Sequence, residues 1–213
     1  MSTWKDHLPP SRPVAMGVNG MVAAAHPMAA AAGVGVLADG GNAFDAAVAT
    51  AATLNVVEPH MSGVGGIGIA LVYVAAEGRV RALNFSGRAP MAAEPDRFTG
   101  ETQQTGLLTP LVPGNVAGWL TLHETYGNME RERLFAPAID HAERGVPVTH
   151  WTSQIMAASA ERLRRFASSS AIILEADGNA PAPGRPVMMP QLAQTLRVIA
   201  RDGADTFYRG ALA

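Results

Sequence analysis

The sequence predicts an α+β fold in which helices lie against an antiparallel sheet. Two Ala-rich, almost wholly apolar segments follow each other between Pro27 and Val57. A pattern of two strands comes next, and only helical patterns follow from Val116 onward. Helices that are segregated in this way from a small antiparallel sheet are typical of the α+β class.

The first helix is expected to begin at Pro27, because proline suits the first helical position, and to end at a Gly-Gly pair. A short strand, "GMVAAAH", is predicted just before it. Asn42 stands as the N-cap of the second helix, and Asp45 follows as a capping-box partner, which predicts a helix from Ala43 to Val57. The small side chains of both helices allow a neighbour to approach closely, so we expect the pair to lie flat against the sheet.

A glycine-rich stretch, "EPHMSGVGGIGIALVYV", joins the second helix to the first strand of the hairpin. Gly63, Gly65 and Gly68 have the G-x-G-x-x-G spacing of a dinucleotide-binding loop. That loop works only between a preceding strand and a following helix, because the helix N-terminus holds the pyrophosphate. Here the order is helix, loop, strand. The sequence therefore favours a tight structural turn over a nucleotide site.

Two strands, Ile67 to Ala75 and Arg79 to Phe85, are predicted to form a hairpin with Gly78 in its turn. Four amphipathic helices are then predicted in "NVAGWLTLHETYG", "RERLFAPAIDHAERG", "WTSQIMAASAERLRRF" and "PQLAQTLRVIARDG", with a Pro- and Gly-rich loop before the last. The final "ADTFYRGALA" predicts the start of a further helix. We expect the natural polypeptide to continue beyond Ala213.

Composition limits the kinds of partner. With 213 residues, 48% of them hydrophobic, the chain suffices for one domain with a sizeable core or for a large piece of a bigger one. A net charge of -2 argues against binding to nucleic acid or to an anionic membrane surface. The N-terminal arm, residues 1–19, lacks the apolar core of a signal peptide, and no apolar run approaches the ~18 residues of a membrane span. We therefore expect a cytoplasmic protein whose folded part is 20–213.

Several classes of catalytic site are excluded by residue type. The absence of cysteine excludes disulfides, thiolate metal sites and a cysteine nucleophile, and no serine lies in G-x-S-x-G. Thr149 beside His150 could suggest a nucleophile and base, but capping of the next helix is the simpler interpretation. No metal site is predicted, because metal-ligand spacing is missing from the six histidines, His7, His26, His60, His123, His141 and His150.

One segment stands out as a candidate binding site, "NFSGRAP" from Asn84 to Pro90. A predicted strand ends there, and Ser86, Gly87 and Arg88 emerge before the proline forces a turn. The planar guanidinium of an arginine at a strand end can bind a carboxylate through two charge-assisted hydrogen bonds. Most arginines are only solvated or paired with a structural acid, so this pattern alone leaves both interpretations of Arg88 open.

The order of these motifs resembles that of a known family. "GGNAFDAA", "PGNVAGW" and "FYRG" are specific to the N-terminal part of the γ-glutamyltranspeptidase large subunit, and the similarity runs from about Gly20 to the last residue. The resemblance implies an N-terminal-nucleophile hydrolase with a four-layer αββα sandwich, of which this chain supplies an incomplete part. Such proteins are made as one precursor that cuts itself into a large and a small subunit.

The resemblance also implies that the catalytic groups lie outside this chain. The family's nucleophile is the threonine that begins the small subunit, where its own α-amino group can act as the base. The glycine pair of the oxyanion hole lies in the small subunit too, and nothing here matches that region. Thr149 falls in a segment similar to a large-subunit helix. We therefore expect no catalytic residue in this chain, no cofactor, and no activity without its small-subunit partner.

A departure from the family concerns the substrate, a small-molecule amide. Transpeptidases carry Arg-Glu directly after the strand-end phenylalanine, and this arginine grips the α-carboxylate of the γ-glutamyl group. Here Ser86 and Gly87 follow Phe85, and Arg88 comes two residues later. Two residues span roughly 6 Å of extended chain, too far to assume the same salt bridge. We assign substrate binding to Arg88, Ser86 and Phe85.

Three functions remain open on these residues. The first is transfer of a γ-glutamyl group to water or an amine. The second is a related amidohydrolase or acylase for another amide, such as an oxamate-like compound, as the "SGRAP" variant suggests. The third, from a non-enzyme class, is a self-standing scaffold or binding fragment. An αββα sandwich that lacks half its strands would expose strand edges and an apolar face, so we expect a second polypeptide to cover them.

Overall fold

A computed structural model describes residues 14–98 and 100–213 and confirms the α+β class. The helices in these ranges are α1 (Pro27–Ala38), α2 (Ala43–Val57), α3 (Asn115–Tyr126), α4 (Arg131–Arg144), α5 (His150–Arg164), α6 (Ala167–Ile173), α7 (Pro190–Asp202) and α8 (Ala204–Tyr208). The strands are β1 (Gly68–Val74), β2 (Arg79–Phe85), β3 (Val146–Pro147) and β4 (Pro186–Val187). Three short 3-10 helices are Ala75–Glu77, Pro95–Arg97 and Gly100–Gln103.

The first two helices begin as their sequences predict. Pro27 opens α1, and the side chain of His26 caps it by accepting the N–H of Met28 at 3.2 Å. At the start of α2 the capping box is complete, because Asn42 accepts backbone N–H groups of the first turn while Asp45 accepts the N–H of Asn42 at 3.0 Å. Both caps satisfy N–H groups that a helix cannot bond internally.

His26 makes the stability of this region dependent on pH. Burial lowers the pKa of His26 below its ordinary value of 6.5; the nearby Glu58 raises it and His141 lowers it by smaller amounts. The folded protein therefore holds His26 neutral, whereas the unfolded chain takes up a proton as the pH falls through about 6.5. Protonation favours the unfolded state, so the stability that depends on neutral His26 is present above this pH and lost below it.

We expect the melting temperature to fall between about pH 7.5 and pH 5.5, as measured by circular dichroism. The variant His26→Asn keeps a side-chain acceptor at the N-cap but does not titrate, so its melting temperature should fall less over the same range. If the melting temperatures of the two proteins fall equally, the titration of His26 does not cause the pH dependence.

The core lies among helices rather than between helices and a sheet. Helix α2 packs against α1, α3 and α4, and α4 packs against α7. The larger side chains that are fully buried there are Phe135, Leu120, Leu134, Leu196, Ile199, Val36, Val48, Val56 and Val116. The expectation that α1 and α2 lie flat against the sheet is therefore wrong. The small residues of these helices chiefly allow α1 and α2 to pack closely against each other.

The hairpin of β1 and β2 packs on α3. The strands pair antiparallel with Gly68 opposite Phe85 and Tyr73 opposite Val80, and Gly78 closes the turn at φ 64°. One face carries Val72 and side chains that contact the core, whereas the other leaves Tyr73 63% and Val80 64% exposed. Both faces of this small sheet are therefore largely apolar, which is the pattern of a sheet covered on two sides.

Two further differences concern secondary structure. The predicted strand at residues 20–26 is extended in part, with His26 in the β region, but it belongs to no ladder among the described residues. Its β-forming sequence has no neighbouring strand to pair with here, and Val22 instead lies beside Gly33 of α1. The structure also adds elements that were not predicted, because α6 follows α5 as a separate helix and β3 pairs with β4.

The domain boundary at residue 20 stays a prediction. Residues 14–19 of the arm have no helix or strand, and residues 1–13, with His7, lie outside the described residues. Across the described ranges, no helix combines the length and apolar character needed to cross a bilayer.

Candidate functional site

A surface cavity of about 700 Å³ opens where the end of β2 meets the N-terminus of α3. All three residues predicted to bind substrate, Phe85, Ser86 and Arg88, line it. The rest of its lining comes from the end of the strand, from the segment after it and from one face of α3. The structure therefore brings the predicted site residues together in one concave site.

Phe85 lies in a niche formed by three glycines. A methyl group added at Gly68 would come within 2.5 Å of the Phe85 ring, and one at Gly118 would overlap that ring. A methyl group at Gly114 would overlap the backbone carbonyl oxygen of Phe85. These glycines hold the last residue of β2 directly on α3, so Phe85 fixes one edge of the cavity as well as lining it.

The backbone after Phe85 is held in a defined turn. The side-chain oxygen of Asn84 accepts the N–H of Ser86 at 3.0 Å. Gly87 has φ 79°, a conformation that residues with a side chain rarely adopt. The carbonyl oxygen of Arg88 accepts the N–H of Val112 at 2.9 Å. These contacts turn the chain after Phe85. The distance estimated for two residues of extended chain therefore does not apply to Arg88, because the segment is not extended.

Arg88 is available for a ligand. Its side chain is exposed and makes no ion pair or hydrogen bond with any residue in 14–98 or 100–213. The described lining of the cavity contains no carboxylate that could neutralise it. An unpaired guanidinium at the rim of a largely apolar cavity is suited to a carboxylate, which it can bind through two parallel hydrogen bonds.

Sequence reasoning missed the contribution of α3. Gly114, Ala117, Gly118 and Thr121 line the cavity at the spacing of one helical face. Asn84 also lines the cavity; it belongs to the candidate segment, but no binding role was assigned to it. The sequence does show small residues at i, i+3, i+4 and i+7 that end in Thr121. This pattern predicts close packing on that face of the helix, but it does not predict a cavity there.

The glycine loop after α2 supports the same helix end. Gly66 donates its N–H to the carbonyl oxygen of Gly63 at 2.8 Å, and the Asn115 side chain donates to that oxygen, also at 2.8 Å. The backbone N–H groups of Gly114 and Asn115 both donate to the carbonyl oxygen of Gly66, at 2.8 and 3.0 Å. The loop thus binds the start of α3 through its own carbonyl groups, in agreement with a structural turn.

The other candidate residues have structural contacts. Thr149 caps α5 by accepting the N–H of Thr152 at 3.0 Å, which confirms the capping interpretation. A ring nitrogen of His123 lies 2.7 Å from the carbonyl oxygen of Met129. In the part of the chain that the structure describes, no three His, Asp or Glu side chains are grouped so that they could hold a metal ion.

Comparison with known proteins identifies the family. The model of the Gamma-glutamyltranspeptidase family matches residues 29–213. The chain belongs to this family. It is 39% identical over 206 residues to an oxamate amidohydrolase proenzyme of Klebsiella pneumoniae, covering 93% of this chain and 39% of the relative. It is 35% identical over 211 residues to a glutathione hydrolase proenzyme of Bacillus subtilis, covering 94% of this chain and 35% of the relative.

Solved structures of γ-glutamyltranspeptidase relatives agree with the fold. The γ-glutamyltranspeptidase of Helicobacter pylori has a TM-score of 0.90 at 32% identity, covering 94% of this chain and 59% of that one. A cephalosporin acylase from Bacillus halodurans has a TM-score of 0.81 at 35% identity, covering 96% of this chain and 41% of that one. The fold is that of the N-terminal-nucleophile hydrolases, of which this chain, similar to the N-terminal part of the large subunit, supplies an incomplete αββα sandwich. The chain spans 35–39% of the length of these two curated relatives.

Proposed function

We propose that this chain forms one wall of the substrate site of an amide-cleaving γ-glutamyltranspeptidase-like enzyme, and that Arg88 binds a carboxylate of the substrate. The observation that carries the proposal is Arg88, which has no partner among the described residues and lies on a fixed turn beside a cavity of about 700 Å³. Ser86 can donate a hydrogen bond to the same group, and Phe85 closes the edge of the cavity. The chain supplies binding and orientation, which raise the rate by holding the scissile amide in place.

The chemical step requires a second polypeptide, the small subunit. A threonine hydroxyl at its N-terminus attacks the amide carbonyl, and the amine leaves with a proton to give an ester-linked acyl-enzyme. Water or an amine acceptor then releases the acyl group. Both curated relatives described above are proenzymes, which supports a processed, two-subunit enzyme. No cofactor is part of this proposal, and a cytoplasmic location stays a prediction.

Two acyl groups are candidates for the substrate of this site. The first is γ-glutamyl, which the family model and the glutathione hydrolase support. The second is a shorter carboxylate-bearing acyl group, as in oxamate, which the 39% identity to an oxamate amidohydrolase supports. The position of Arg88 after a Ser-Gly turn favours testing the second substrate alongside the first. If neither amide is cleaved by the assembled protein, two hypotheses stand instead, an acylase for another amide and a scaffold or binding fragment.

The test is Arg88→Ala in the complete enzyme, assayed with L-γ-glutamyl-p-nitroanilide and with oxamate. Loss of a charge-assisted hydrogen-bonded pair costs roughly 2 kcal/mol, so we expect KM for the accepted substrate to rise about 30-fold. The matched control is Arg144→Ala, which removes an exposed arginine paired with Asp140 on α4, outside the cavity. An unchanged KM in Arg88→Ala would remove Arg88 from the site.

A second measurement addresses the partner. Intact mass spectrometry with N-terminal sequencing of whatever co-purifies with this chain should show a second polypeptide that begins with threonine. Recovery of this chain by itself, soluble and monomeric, would count against the enzyme and in favour of a binding module.

A further inference from the structure

The N-terminus of α3 lacks a cap from its own N-cap residue. Gly114 occupies that position and has no side chain to accept a hydrogen bond. The N–H groups of Gly114 and Asn115 are bound by the carbonyl oxygen of Gly66. The N–H of Ala117, the third residue of the helix, cannot be bonded within the helix and needs an acceptor from elsewhere.

Tyr208 supplies this acceptor from a distant part of the chain. Its hydroxyl oxygen accepts the N–H of Ala117 at 3.1 Å, across a sequence separation of 91 residues. Tyr208 ends α8, which contacts α3, and its ring meets that of Phe207 edge to face with centroids 5.0 Å apart. Burial raises the pKa of the Tyr208 hydroxyl, against a smaller opposite effect of the Ala117 hydrogen bond, so the group is a neutral phenol at neutral pH.

The bonded residue belongs to the cavity itself. Ala117 lines it, and its neighbour Gly118 receives the ring of Phe85, the residue from which the turn to Arg88 begins. A shift of the first turn of α3 would therefore move the cavity floor and the strand end together. Tyr208 itself is not among the described residues that line the cavity.

We propose that Tyr208 is a positioning residue for the substrate site, which acts by holding the first turn of α3 through the N–H of Ala117. This inference rests on the proposed function of the cavity. Removal of the hydroxyl leaves the Ala117 N–H without its partner, and the first turn loosens. Substrate binding weakens as a result, whereas the chemical step, carried out by groups of the small subunit, keeps its rate once substrate is bound.

The test compares Tyr208→Phe with Tyr126→Phe in the complete enzyme. Tyr126 stacks on Phe44 with centroids 4.8 Å apart, and its hydroxyl has no hydrogen bond within the described residues, so this control removes the same atom without removing a cap. We expect Tyr208→Phe to raise KM about three- to tenfold with kcat within about twofold, and to speed amide hydrogen exchange at residues 115–118. Tyr126→Phe should change neither quantity.

The outcomes separate this inference from the proposed function. If Tyr208→Phe leaves both KM and the exchange of residues 115–118 unchanged, the positioning role is overturned. The same holds if KM stays constant while kcat and the melting temperature fall together, because that is the result of a purely structural contact. If Arg88→Ala leaves KM unchanged but Tyr208→Phe raises it, the role of Arg88 fails and the positioning role of Tyr208 stands.

Discussion

Replacing Gly114 by alanine is expected to destabilise the protein by about 3 kcal/mol and to deform the cavity. The added methyl group would overlap the backbone carbonyl oxygen of Phe85, and the next nearest atom is the carbonyl carbon of the same residue. Neither backbone atom can move without separating β2 from α3. The strain therefore cannot be relieved by a change of rotamer, which is the usual way in which a core accommodates an extra methyl group.

Gly118→Ala provides the matched comparison. Its methyl group would overlap the Phe85 ring, so the strain should be similar in size but should depend on a side chain. In a background of Phe85→Ala, the added cost of Gly118→Ala is expected to drop below about 1 kcal/mol, whereas the added cost of Gly114→Ala should persist. Urea unfolding followed by circular dichroism measures all of these differences.

Gly65→Ala is the control for glycine substitution in general. No atom lies within 4 Å of a methyl group added at Gly65, and its φ is not positive, so we expect a change within about 0.5 kcal/mol. Rescue of both cavity variants by Phe85→Ala would show that the backbone overlap at Gly114 is not the cause. If Gly118→Ala destabilises the Phe85→Ala variant as much as it destabilises the original protein, the Phe85 ring is not the cause of the strain.

Asp45→Ala is the second substitution with a large expected effect, a loss of about 3 kcal/mol. Asp45 is completely buried and accepts the N–H of Asn42 at 3.0 Å. It also accepts the N–H of Asn128, with its two oxygens at 3.1 and 3.2 Å, in the turn between α3 and α4. His123 lies 3.9 Å from it. Alanine would leave two backbone donors without an acceptor and would remove the link between two helix termini.

Asp45→Asn distinguishes the loss of an acceptor from the loss of charge. The Oδ2 atom of Asp45 accepts both N–H groups, so an amide oxygen at that position can still accept them. The amide lacks the negative charge and places an NH2 group where Oδ1 lies 3.2 Å from the backbone nitrogen of Asn128, so we expect roughly half of the destabilisation of Asp45→Ala. The control is Glu124→Ala, an exposed acid on α3 with no hydrogen bond or ion pair in the described residues, which should stay within about 0.5 kcal/mol. If all three variants unfold at the same urea concentration, the buried carboxylate does not support the fold.

These two cases show what the sequence can predict. The capping box of α2 was readable because Asn42 and Asp45 are three residues apart, and helix caps depend on local geometry. The bond from Asp45 to Asn128 spans 83 residues, and nothing in the local pattern indicates it. The same holds for the niche of Phe85, whose glycines come from the hairpin and from α3. The family's motifs located the site, but its contacts depend on tertiary packing.

The predicted strand at residues 20–26 failed for a related reason. Strand propensity describes how well a segment fits a sheet, and the ladder itself needs a neighbour with free N–H and carbonyl groups. Among the described residues, that neighbour is absent, so Val22 packs on α1 without cross-strand hydrogen bonds. The hairpin was predicted correctly because each of its strands supplies the partner of the other within a few residues.

The two apolar faces of the hairpin have a consequence for its alignment. In most sheets, a slip of one residue is prevented because it would turn the hydrophobic face to solvent. Here such a slip would exchange one apolar face for another, so burial discriminates weakly between the two alignments. The alignment is instead fixed at the ends, by the left-handed Gly78 in the turn and by Phe85, which fits only where Gly68 and Gly118 leave room. Phe85 thus sets the position of every residue in the hairpin as well as the edge of the cavity.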